Sequence, residues 1–133
     1  MINQVRITRY SDEVTYEYQI TYDENHREAS VESFKNGQRS GSTKETYNEA
    51  GQVTLSKNFD KEDQWTSSRE YEYDETGKLL REYSFSRSET QADYQVIYTY
   101  DENGLLLSKN VDYYYGYLLE FTYEPFEILV RVK

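Results

Sequence analysis

Cysteine is absent from this chain, which removes disulfides, thiolate metal sites and cysteine nucleophiles together. Histidine occurs once, at His26. One imidazole builds neither a zinc site nor a histidine relay, and any histidine-based triad would rest on that one turn residue. Basic residues are outnumbered, 15 Lys and Arg against 25 Asp and Glu, for a formal charge of −10. With no basic stripe to meet phosphates, nucleic acid is disfavoured as a partner. No apolar run approaches the length of a membrane span, and the first residues lack the apolar core of a signal peptide. Leu, Ile, Val and Phe make up only about one residue in five, the border below which chains stay disordered.

Tyrosine fills that gap. It occurs 16 times, against five phenylalanines and one tryptophan. Each ring buries a large area while its hydroxyl stays wet, so the expected core is thin and tyrosine-rich. Residues 14–22 alternate without a break: Val14, Tyr16, Tyr18, Ile20 and Tyr22 on one side, Thr15, Glu17, Gln19 and Thr21 on the other. That period of two marks a strand with one buried face. The same reading predicts strands over Asn3–Tyr10, Arg27–Lys35, Gln38–Tyr47, Gln52–Phe59, Gln64–Tyr73, Lys78–Ser86, Gln91–Tyr100, Leu105–Tyr113, Tyr117–Tyr123 and Glu127–Lys133. Asn36-Gly37 is a strong hairpin signal. Gln38–Tyr47 is expected to be weak, because Ser40-Gly41-Ser42 offers little side chain to pack. Nothing reads as a helix, and the 133 residues make one domain.

The strands are punctuated by a repeat. Tyr98-Thr99-Tyr100-Asp101-Glu102-Asn103-Gly104-Leu105-Leu106-Leu107 has near-copies at Tyr71–Leu80 and Glu45–Val53, and a worn copy at Ile20–His26. Phe121-Thr122-Tyr123-Glu124 begins a fifth. The anchors Tyr22, Tyr47, Tyr73, Tyr100 and Tyr123 lie 25, 26, 27 and 23 positions apart. Within each copy the side chain of Asp23, Asn48, Asp74 or Asp101 can accept a backbone hydrogen bond two residues on and start a turn. Gly51, Gly77 or Gly104 then supplies the left-handed residue of a bulged three-residue hairpin. His26 and Glu127 stand where glycine belongs, so those two turns are expected to be irregular.

These copies resemble the YD repeats of the RHS family, Tyr-x-Tyr-Asp-x-x-Gly-x-Leu, and still more the short YD-like repeats of small secreted proteins and lipoproteins of Bacteroidetes. The resemblance runs from about Val14 to the end. It implies an all-β antiparallel meander of about 11 strands built from YD-type hairpins. RHS proteins use such repeats to enclose a toxin, a role for which four or five copies are too few. Three ways of hiding the apolar face remain open: a curled sheet or incomplete barrel, which is favoured, two packed sheets, or one layer whose tyrosines shield one another. The last strand, with Ile128, Val130 and Val132 on one face, would be a sticky edge unless closure or a second copy covers it.

The turn carboxylates should line one rim and offer oxygens to calcium, but no calcium-loop spacing is present and turn geometry already explains them. No metal and no cofactor are therefore expected. The best functional hint is aromatic: Trp65, Tyr94, Tyr113, Tyr114, Tyr115 and Tyr117 exceed what one buried face accommodates. Such rings stack on sugars or anchor protein interfaces, or else form cross-strand ladders. The expected function is a non-enzymatic interaction or scaffold module of a bacterial secreted or envelope protein, its export signal already removed. It would bind through the aromatic strand face or a sheet edge. A glycan-binding module and an acidic toxin-neutralising immunity protein are the alternatives, and a cytoplasmic location is the alternative to export.

Overall fold

Alternation and turn chemistry together produce a meander. The computed structural model describes residues 2–9, 14–113 and 117–122, with side chains over 14–113. It contains ten strands: β1 (Ile2–Arg9), β2 (Val14–Tyr22), β3 (Glu28–Lys35), β4 (Gln38–Tyr47), β5 (Val53–Phe59), β6 (Trp65–Tyr73), β7 (Leu79–Phe85), β8 (Tyr94–Tyr100), β9 (Leu106–Tyr113) and β10 (Tyr117–Thr122). Eight of them, β2–β9, have described side chains. No helix occurs among the described residues, and so none long and apolar enough to cross a membrane. The eleventh strand expected at Glu127–Lys133 lies outside the described residues, as do Pro125 and Glu127.

The ten strands form one antiparallel sheet whose spatial order is the chain order. Among the described residues each strand meets only its sequence neighbours, so β1 and β10 remain the two edges and the sheet does not close. Of the three arrangements, two packed sheets are excluded, and the sheet is a single layer that does not close into a barrel. The side chains give the reason. Closing a barrel requires large apolar residues to fill its interior, whereas the middle of the tyrosine-bearing face carries Thr43, Ser56, Asn58, Ser67 and Ser84. The accessible surface is 10511 Å², against about 7400 Å² for a compact globule of this mass.

The core is correspondingly thin, and it is not made of tyrosine. Phe85, Val96 and Val111 are the buried apolar side chains among the described residues, and none is buried completely. The tyrosines are mostly half-buried. Registered pairs place Tyr16, Tyr18, Glu45, Arg69, Tyr94 and Tyr98 on one face, here the first. Phe34, Phe59, Phe85, Lys44, Lys57 and Ile97 lie on the second face. The two buried serines, Ser42 and Ser68, stand directly opposite Phe59 and Phe85. A small residue there leaves room for the neighbouring ring.

β4 is the longest strand, contrary to the expectation that Ser40-Gly41-Ser42 would weaken it. A Cβ built on Gly41 would lie 2.5 Å from the carbonyl oxygen of Phe59. Glycine is there because β5 passes close, and the approach buries both Gly41 and Ser42.

Candidate functional site

The repeated turns all stand on one rim of the sheet, at the β2–β3, β4–β5, β6–β7 and β8–β9 connections. In each, the anchor aspartate or asparagine caps its own loop. Asp74 Oδ1 accepts from Thr76 N and Lys78 N, and Asp101 Oδ1 accepts from Asn103 N and Leu105 N. Asp23 Oδ1 does the same with Asn25 N and Arg27 N, while Asn48 Oδ1 accepts from Gln52 N. Gly51, Gly77 and Gly104 sit at φ of 82°, 86° and 81°, and a one-residue bulge follows each of the four turns. His26 does not make its turn irregular. Instead it takes φ 62° and donates its amide to Asp23 O, as Gly77 donates to Asp74 O, so the turn is regular. The aspartate cap outweighs the cost of a left-handed histidine.

A fifth loop of this kind escaped the repeat pattern because it lacks both tyrosine and glycine. On the opposite rim, Asp60 Oδ1 accepts from Glu62 N and Gln64 N, and Asp63 takes the left-handed position at φ 62°. Its legible signal is an aromatic residue before an aspartate, Phe59-Asp60, between two alternating runs.

These loops lock to one another. The hydroxyls of Tyr47, Tyr73 and Tyr100 donate to the carbonyls of Glu28, Val53 and Leu79, the residue after the preceding turn in each case. Arg27 donates to Asn48 O, Gln52 to Gly77 O, and on the far rim Arg39 to Asp60 O and Lys61 O. Arg27 also covers the Tyr47 ring at 4.7 Å and pairs with Asp23 at 2.8 Å. The cleft of about 430 Å³ beside it is therefore lined by a cation that is already engaged. Successive rim aspartates are two strands, about 10 Å, apart, too far to share one cation. Among the described residues no group of three or more His, Asp or Glu converges as a metal site.

Among the described residues the predicted aromatics do not form one platform. Trp65 stands opposite Phe59 near the far rim, with its indole nitrogen buried and unpartnered. Tyr94 and Tyr113 pair across β8 and β9 with ring centroids 5.4 Å apart. Three strands and four register positions separate Trp65 from Tyr113, about 20 Å. Tyr114 and Tyr115 lie outside the described residues, and Tyr117 is placed in β10 opposite Tyr113 by its backbone alone.

Register assembles something the sequence did not reveal. Glu45, Ser56, Arg69, Ser84, Tyr94 and Tyr113 are successive cross-strand partners from β4 to β9 on the first face. Over the first four lies a polar concavity of about 450 Å³, whose wall includes Asn58, Ser67 and Tyr71. Thr43 donates to Asn58 and Asn58 to Ser67, a chain of side-chain hydrogen bonds along the floor. Arg69 is held protonated by its hydrogen bond to Tyr71 and by Glu82, 3.7 Å away. Burial and the Glu82 carboxylate push the Tyr98 phenol up to about 12, which keeps it neutral and donating. No local motif marks these residues, since they meet only through five strand registers.

No protein-family model matches this chain, and no curated protein matches it either. The functional reading rests on the geometry.

Proposed function

We propose that this protein is a non-enzymatic interaction module built from YD-type hairpin repeats, acting at the bacterial cell envelope or outside the cell. It binds a protein or glycan partner through its aromatic strand face or a sheet edge. The observation that carries this reading is the single layer. An open sheet of ten strands leaves both faces and both edge strands accessible among the described residues, with tyrosine rings half-exposed on the first face. Partly exposed aromatics on a rigid scaffold are the usual anchors of recognition surfaces. The YD kinship is supported by the recurrence of one cap, one left-handed residue and one bulge in each tyrosine-anchored turn.

A glycan ligand is the second reading, favoured by the polar row that ends in Tyr94 and Tyr113. The test is capture from bacterial surface extracts on the immobilised protein, run beside Tyr94→Ala on the first face and Tyr83→Ala on the second. Saturable retention of one partner, lost in one variant and kept in the other, is the expected result. Absence of any saturable partner from every fraction would overturn the module reading.

A further inference from the structure

We infer that the row Glu45, Ser56, Arg69, Ser84, Tyr94 and Tyr113 is a subsite array for a linear, uncharged polysaccharide lying across the strands. This rests on the binding-module reading and names its ligand class. Three independent observations carry it.

The first is spacing. Cross-strand partners recur at the inter-strand distance, so the six residues span about 24 Å in steps of about 4.8 Å. A β-linked pyranose chain advances by a similar step per ring, so each sugar meets a fresh side chain.

The second is chemistry along the floor. Ser56 and Ser84 are half-buried and make no side-chain hydrogen bond among the described residues, leaving both hydroxyls to donate and accept. Glu45 and Arg69 flank Ser56, supplying a carboxylate acceptor and a guanidinium donor set. Vicinal sugar hydroxyls bond such groups in pairs. An anionic chain is disfavoured, because Glu82 already lies against the one cation of the row and Glu45 adds a second carboxylate.

The third is the aromatic side of the row, whose register runs on to Tyr117 in β10. Tyr94 and Tyr113 form a tilted pair with Tyr113 37% exposed, an aromatic surface on which the C–H face of a terminal ring can lie. A concave polar floor closed at one end by aromatics is the general form of a site for an amphipathic ligand.

The test is affinity electrophoresis through gels containing a soluble β-glucan, a xylan, a mannan or a polyuronate, with folding of each variant checked by thermal melting. Retardation by at least one neutral polysaccharide is expected, and little by the polyuronate. Tyr94→Ala and Ser56→Trp, which removes the stack or fills the floor, should each weaken retardation about tenfold. Glu70→Trp, which adds the same bulk on the second face opposite Leu55, should leave it unchanged. Retardation that survives both first-face substitutions, or that occurs only with the polyuronate, would overturn the inference. A captured protein partner with no retardation would overturn it while leaving the module reading intact; neither capture nor retardation would remove both.

Discussion

The hydroxyl of Tyr73 donates to the backbone carbonyl of Val53 at 2.8 Å, from β6 to its neighbour β5 and over 20 residues of chain. Tyr47 with Glu28 and Tyr100 with Leu79 repeat the contact at 2.9 and 2.8 Å. In a sheet with almost no buried core, such bonds take over part of what packing does elsewhere. Each ties one capped hairpin to the one before it, adding a side-chain bond at the seam between two paired strands.

The ladder predicts a uniform cost. Tyr73→Phe keeps the ring and leaves the Val53 carbonyl without its donor, for a loss of about 1 kcal/mol in denaturant unfolding. Tyr100→Phe should match it. Tyr47→Phe should cost more, because its one hydroxyl proton is shared between Glu28 O and the charged Glu45 carboxylate, at 2.8 Å.

Backbone strain at His26 should be removable. His26 is exposed at φ 62°, in the position that glycine fills in three other turns. His26→Gly should therefore stabilise the protein by about 1 kcal/mol, and Gly77→Ala should destabilise it by a similar amount. Thermal melts of the two single variants and the pair read both signs.

Gly41 tests close approach added to conformation, since its φ is 156°. Ala there meets the Phe59 carbonyl oxygen at 2.5 Å, with backbone on both sides of the clash. Gly41→Ala should cost about 2 kcal/mol or more, above what lost strand entropy would predict.

Acid should loosen the turns in a defined window. The backbone amide of Arg27 holds the Asp23 carboxyl below its ordinary value of 3.8, and the Thr76 hydroxyl does the same for Asp74. A depressed folded-state value means stabilisation that is complete above about pH 4 and lost as pH falls through the lowered values. Asp74→Asn, the residue that copy two carries as Asn48, should keep the turn at neutral pH and flatten the acid limb. At the other extreme, burial first and Glu45 second push Tyr47 up to about 12. Its neutral phenol contributes fully below pH 10, and the contribution is lost as pH rises through 12. An ultraviolet titration of Tyr47→Phe should lack one late-ionising tyrosine.

Hairpins and their turns were readable because they are local. Val14–Tyr22 alternates, and β2 spans the same residues. Asp74-Glu75-Thr76-Gly77 specifies a capped, bulged loop through atoms no more than four residues apart. Gln91–Tyr100 was read three residues too long at its start, since Asp93 turns back to bond Ser86 in the loop.

The rest depended on distance in space. Arg39 finds Asp60 and Asp63 more than twenty residues away, and Glu45 comes into line with Tyr113 through five successive registers. Neither leaves a local mark. Whether ten alternating strands close, stack or stay open turns on how much apolar volume the assembled faces present. That quantity exists only once register has put Ser56 beside Arg69, and Arg69 beside Ser84, rather than beside another ring. Alternation and turn chemistry were enough to make this chain a meander, because they act within a hairpin. The open layer and its polar row are properties of the summed registers, and only the tertiary structure could decide them.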